Sequence, residues 1–153
     1  MVDPRNKGGW ASMSGEAEHN YSDLRFLIVD DEPFILDLVE KILRRCRAKE
    51  IRRLSNGKDA LEVLKGAPNH FDVVISDCNM QPINGLQLLR GIREGMVSKE
   101  AIDLPVVFLT GHNDQPIVQR AVELKVSGFL SKPVSFEKLT STIAKAVASR
   151  KAE

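Results

Sequence analysis

Residues 24–46 read Leu24-Arg25-Phe26-Leu27-Ile28-Val29-Asp30-Asp31-Glu32-Pro33-Phe34-Ile35-Leu36-Asp37-Leu38-Val39-Glu40-Lys41-Ile42-Leu43-Arg44-Arg45-Cys46. The unbroken apolar run from Phe26 to Val29 suits a strand buried on both faces, and it stops at three acids and a proline. Beyond Pro33, the residues Ile35, Leu38, Val39, Ile42, Leu43 and Cys46 keep the i, i+3, i+4, i+7 spacing of a helix with one apolar side. Pro33 fits the start of that helix, where a missing N–H leaves no bond unmade. A buried strand, an acidic turn and an amphipathic helix form the opening half of a strand-helix-strand unit. The stretch therefore predicts a parallel sheet with crossover helices.

The rest of the chain repeats the alternation. Ile51 to Leu54 is a strand candidate whose Arg52 and Arg53 place it near a sheet edge. Ser55-Asn56-Gly57 makes a turn, Lys58 to Lys65 a short helix around Ala60, Leu61 and Leu64, and Pro68-Asn69-His70 a connection. Phe71 to Ile75 is a buried strand ending at Ser76-Asp77. Gly85 to about Met96 suits a helix through Leu86, Leu89 and Ile92. Pro105 to Leu109 is a fourth strand, stopping at Thr110-Gly111. Asp114 is placed to cap a helix whose apolar face would be Ile117, Val118, Ala121, Val122 and Leu124. Gly128 to Ser131 is a short fifth strand, followed by Lys132-Pro133, and Phe136, Leu139, Ile143 and Val147 mark one side of a terminal helix. Five strands and five helices in alternation give an α/β class with no repeat and no second domain.

A chain of 153 residues has the usual size of one domain. Its 22 Lys+Arg against 21 Asp+Glu leave a formal charge of +1, which does not favour nucleic acid as a direct ligand. No apolar run approaches the ~18 residues of a membrane span. The two cysteines, Cys46 and Cys78, show no CxxC or Cys/His spacing, so neither zinc nor a disulfide framework is expected, and a reducing cytoplasm fits. Residues 1–22 lack apolar periodicity and a signal-peptide core and read as a disordered extension, with Trp10 and Tyr21 in it. The domain is expected over 23–150, with a tail over 151–153.

Residues capable of chemistry follow four of the five strands: Asp30 and Asp31 the first, Asp77 the third, Thr110 the fourth, Lys132 the fifth. Parallel strands joined by helices all run one way, so these residues share the edge at which open α/β sheets bind ligands. Singly, each has a plain structural role: helix-start acids, a turn residue, a strand-end hydroxyl, a surface cation. Together, three carboxylates repel by several kcal/mol at about 4 Å and an effective dielectric near 20. A raised pKa or a hard divalent cation would offset this. Mg2+ is the natural candidate, because it takes a few carboxylates, keeps waters and shares phosphate oxygens. Lys132 and Thr110 add a cation and a hydroxyl suited to a phosphoryl group. Asp77, a single acid at the tip of a central strand, is the candidate nucleophile for an acyl phosphate, and the pair Asp30-Asp31 suits metal holding.

These residues resemble the receiver domain of two-component response regulators, from about Leu24 to Ser149. The family pattern is an acidic pair after the first strand, a phosphoacceptor Asp after the third, Thr or Ser after the fourth and Lys-Pro after the fifth; here it reads Asp30-Asp31, Asp77, Thr110 and Lys132-Pro133. The resemblance implies a flavodoxin-like doubly wound (βα)5 sandwich with strand order 2-1-3-4-5. It implies that Asp77 takes phosphate from a sensor histidine kinase or a histidine phosphotransfer protein. Mg2+, or Mn2+ in its stead, would be bound by Asp31, Asp77 and the main-chain carbonyl of Asn79, with Asp30 acting mostly through water. It further implies a cis Lys132–Pro133 peptide, and a switch in which Thr110 moves to the phosphoryl group and Phe129 turns inward. The face formed by the fourth and fifth helices and the fifth strand would then change its partner. His112 and Asn79, two residues past Thr110 and Asp77, fall where the family sets phosphoryl lifetime. The family's Asp-x-x-Met-Pro segment departs here, Met80 being followed by Gln81 and then Pro82, while Gly85 keeps the loop glycine's place.

The expected function is thus a phosphorylation switch, not an enzyme, working by protein contact on an unnamed downstream target. It would be a monomer or a phosphorylation-dependent dimer, with no membrane or nucleic-acid partner and, by resemblance, in a bacterial cytoplasm. With little chain after Ser149 for an output domain, it reads as stand-alone, or as an excised piece of a hybrid kinase. The rival is a Mg2+-dependent phosphatase of the haloacid-dehalogenase type. That family places its nucleophile in Asp-x-Asp after the first strand, which Asp30-Asp31-Glu32 does not supply.

Overall fold

The computed structural model describes residues 19–152, along which strands and helices alternate. They are β1 (Arg25–Val29), α1 (Pro33–Arg45), β2 (Glu50–Leu54), α2 (Gly57–Gly66), β3 (Val73–Asp77), α3 (Gly85–Arg93), β4 (Val106–Thr110), α4 (Gln115–Glu123), β5 (Gly128–Ser131) and α5 (Phe136–Ala152). All neighbouring strands pair in parallel, in the order β2-β1-β3-β4-β5. The chain steps outward from β1 to β2 and then back past β1 to β3, which puts the reversal of winding between β1 and β3.

Alternate residues of each strand feed opposite faces of the sheet. Phe26, Ile28, Val73, Ile75, Val107, Leu109 and Leu130 pack with α1 and α5. Leu27, Val29, Val74, Val106 and Phe108 pack with α2, α3 and α4. Burial on both faces is what makes β1, β3 and β4 read as unbroken apolar runs. Each fully buried large side chain contributes about 1.5–3 kcal/mol. The edge strand β2 exposes Arg52 and Arg53, and Arg53 is tied to α1 through Asp37 at 2.8 Å and Glu40 at 2.9 Å.

Several boundaries differ from the sequence reading, each for a local reason. β3 begins at Val73, because Asp72 is spent on Arg25: its carboxylate accepts the Arg25 N–H at 2.7 Å and its own N–H donates to the Arg25 carbonyl at 2.8 Å. α3 stops at Arg93, because Gly95 adopts φ +87°, outside the helical region. On α4 only Ala121 is fully buried, and Val122, expected on the apolar face, is exposed. Tyr21, expected in the extension, is buried against Phe26, and its N–H donates to the Cys46 carbonyl at 2.7 Å. Residues 1–18, with Trp10, and Glu153 lie outside the described residues. Among the described residues no helix is long and apolar enough to cross a membrane.

Candidate phosphoryl and metal site

Register brings the acids together. Val29 pairs with Ser76, so the next residues, Asp30 and Asp77, emerge side by side from β1 and β3. Asp30 is 1% and Asp77 4% exposed, whereas Asp31 is exposed. One carboxylate oxygen from each of Asp30, Asp31 and Asp77 lies within 4.8 Å of the others. The chain leaving Asp77 is held close by Gly85, whose N–H donates to the Cys78 carbonyl at 3.0 Å. A Cβ on Gly85 would stand 2.5 Å from the Asp77 carbonyl oxygen, so any larger residue would push the loop outward. This explains the loop glycine without reference to its kin.

Lys132 enters from the end of β5. Its N–H donates to the Thr110 carbonyl at 2.8 Å, and the peptide to Pro133 is cis, as is that between Gln81 and Pro82. The ammonium Nζ lies 3.3 Å from Asp77 Oδ1, 3.3 Å from Asp30 Oδ2 and 2.8 Å from Glu32 Oε1. Burial works against its charge, yet the hydrogen bond to Glu32 and the charges of Asp30 and Asp77 hold it above the ordinary lysine range. The acids respond in the opposite sense. Burial pushes Asp30 up to about 6, with the Asp77 charge adding to it, while the Glu32 N–H and Lys132 pull it down. Burial likewise raises Asp77, against the pull of Lys132 and the Asn79 N–H.

The remaining predicted residues sit around this pocket. Asn79 is exposed, its main-chain N–H beside the Asp77 carboxylate. Thr110 is 8% exposed and its hydroxyl donates to the Leu130 carbonyl at 3.2 Å, turned toward β5. Thr110, His112, Gln115, Val118, Phe129 and Lys132 line a cleft of about 520 Å³ beside the acids. Phe129 is 49% exposed, so it is no part of the core. Asp114 stands at the N-cap of α4, but its carboxylate accepts the Gly111 N–H at 2.6 Å and makes no cap bond. His70, on the connection before β3, bonds Glu50 at 2.8 Å. Glu32 is the site residue the sequence reading missed. Its one signal, a third acid before Pro33, is also that of an acid at a helix start.

The donors that converge in the pocket are carboxylate oxygens, hard and anionic, which suit Mg2+. Asp30 Oδ2 is buried without a hydrogen bond, in ion-pair contact with Lys132 at 3.3 Å. Such a pocket suits a divalent cation and a phosphoryl group together.

Comparison with known proteins bears on the same residues. The model of the response regulator receiver domain matches residues 26–144. The two-component response regulator ORR26 of rice is 36% identical over 116 residues, 76% of this chain and 19% of that protein. The probable chemotaxis protein CheY of Rhizobium etli is 31% identical over 120 residues, covering 78% of this chain and 89% of that one. The chain thus spans about a fifth of the plant relative's length. A receiver domain from Clostridium thermocellum superposes with a TM-score of 0.73 at 29% identity, covering 84% of this chain and 98% of its own. Chemotaxis protein CheY4 of Vibrio cholerae does so with 0.69 at 27%, covering 80% and 98%. These neighbours share the expected flavodoxin-like order of strands, and none of the relatives named above supports the phosphatase alternative. Because plant and bacterial proteins are both among the relatives, the expected bacterial origin is not supported.

Proposed function

The chain belongs to the response regulator receiver domain family, and on that premise we propose that Asp77 accepts a phosphoryl group from a phosphohistidine on a sensor kinase or phosphotransfer protein. The observation that carries the reading is the convergence of Asp30, Asp31 and Asp77 within 4.8 Å, with Lys132 Nζ 3.3 Å from Asp77. Asp31, Asp77 and the Asn79 carbonyl would hold Mg2+, or Mn2+ in its stead, with Asp30 behind them. The bound cation would supply positive charge to the phosphoryl oxygens. Asp77 presents its carboxylate oxygen to phosphorus from the tip of a rigid, buried strand, so little is lost in orienting it. Lys132 stabilises the charge that gathers on the oxygens in the transition state.

Thr110 and Phe129 form the readout. The Thr110 hydroxyl gives up the Leu130 carbonyl for a phosphoryl oxygen, and Phe129 turns into the space beside it. The face of α4, β5 and α5 then changes partner, as a downstream target or as a second copy of the chain. His112, on the rim of the same cleft, and Asn79, next to Asp77, set the phosphoryl lifetime through access of water. Cys46 and Cys78 are both buried and show no metal-binding or disulfide spacing, which supports a reducing compartment such as cytoplasm.

Incubation with Mg2+ and phosphoramidate, followed by intact mass, tests the acceptor role. The expected result is one phosphoryl group per chain, lost in Asp77→Asn. Turnover of many donor equivalents without a retained phosphoryl group would point to a phosphatase instead.

A further inference from the structure

Lys132 has three N–H bonds to offer and three carboxylates around it. Its shortest contact is not with an acid of the converging trio. Nζ lies 2.8 Å from Glu32 Oε1, against 3.3 Å from both Asp30 and Asp77. Glu32 occupies the N-cap position of α1, yet its side chain makes no cap bond there. It reaches instead to a lysine 100 residues away in sequence.

The two ends of Glu32 are held differently. Its N–H donates to Asp30 Oδ1 at 2.9 Å, its carbonyl accepts from Ile35 and Leu36, and Pro33 follows with a fixed φ. The backbone is therefore set by the pocket itself. The side chain, 58% exposed, stands over the rim in solvent and is free to change rotamer. Glu32 also lies outside the acids whose oxygens converge, so a cation held by those three would leave its hold on Lys132 in place.

We infer that Glu32 is a positioning residue that draws the Lys132 ammonium to the rim of the pocket, away from Asp77, and so sets how readily it reaches an arriving phosphoryl group. The inference rests on the acceptor role of Asp77 proposed above. With phosphoramidate as donor, an Asp77 carboxylate oxygen attacks phosphorus. The P–O bond forms as the P–N bond breaks, and the nitrogen, carrying three hydrogens at neutral pH, leaves as ammonia with the bonding pair. Nothing is oxidised or reduced. Negative charge grows on the three remaining oxygens during this step, and Lys132 stabilises it fully only after leaving Glu32. Glu32 thus competes with the transition state for one ammonium. An ion pair this exposed alters the rate by about two- to fivefold.

The test compares the full chain with Glu32→Gln and Glu32→Asp, in Mg2+, at several phosphoramidate concentrations, by intact mass against time. Glu32→Asp keeps the charge but is one methylene short of the lysine. The expected result is that both variants label about two- to fivefold faster at saturating donor, with an unchanged half-saturating concentration and the melting temperature of the parent. Wild-type rates in both variants would overturn the inference. So would acceleration in Glu32→Gln alone, which would assign the effect to charge, or a fall in half-saturation without a change in the maximal rate. If the parent chain takes no phosphoryl group, the acceptor reading itself fails; if it labels normally and the variants match it, only the role of Glu32 does.

Discussion

Burial that leaves Asp30 1% exposed beside two other acids pushes its carboxyl up to about 6. The unfolded chain would hold the same group near 3.8, so the native state binds this proton more tightly than the unfolded one. Its contribution to stability is then fully present below about pH 4 and is lost as pH rises through about 6. In chelator, Asp30→Asn should gain about 1–3 kcal/mol over the parent at pH 7.5 and almost nothing at pH 4. Urea unfolding at the two pH values checks this, and an equal gain at both would rule out titration as the cause. The same residues show what a sequence discloses at this scale. Asp30, Asp31, Asp77 and Lys132 are legible because strand ends dictate where they emerge. The Thr110 hydroxyl on Leu130, the Asp114 carboxylate on Gly111 and the reach of Glu32 to Lys132 are not, because each is a choice of rotamer among nearby partners.

Helices differ in how firmly the sheet holds them. α1 buries Ile35, Leu36, Val39, Ile42 and Leu43, while α4 buries Ala121 alone. An apolar face at helical spacing is legible in both stretches; how much of it is covered depends on neighbours that the spacing does not reveal. What fixes the region around α4 is Arg93 at the end of α3. Its guanidinium donates to the carbonyls of Leu124, Lys125, Ile102 and Leu104 at 2.7–3.1 Å. One side chain thus ties together the connections entering β4 and β5. Arg93→Ala should cost about 1–3 kcal/mol in urea unfolding, since part-buried carbonyls lose their donor. Arg93→Lys should recover little of it, because a single ammonium cannot span four acceptors in a fixed fork. Full recovery by lysine would mean that charge, not geometry, is what Arg93 supplies.

At the scale of the molecule, two apolar layers enclose one sheet, and the sheet's reversal point becomes the acid pocket. The layering is legible from strand length and helix period, because both depend on patterns spread over many residues, whereas the strand order that sets the reversal point comes from the family resemblance. Where the packed body begins is not, since a single aromatic after a polar stretch carries no period. Tyr21 answers it by contact. Its ring lies 5.4 Å from Phe26, its N–H donates to Cys46, and its carbonyl accepts from Leu24 and Lys49, so it closes the end of α1 against β1. A chain starting at Leu24 should therefore be about 2–4 kcal/mol less stable than one starting at His19. The hydroxyl should contribute none of this: among the described residues Tyr21 Oη is buried without a hydrogen-bond partner. Tyr21→Phe in the longer chain should then be neutral or slightly stabilising, because it removes a polar atom that burial has already stripped of water. Urea unfolding of the three proteins separates the terms. If Tyr21→Phe costs as much as the truncation, the hydroxyl has a partner after all, and the ring's packing is not what anchors the start of the fold.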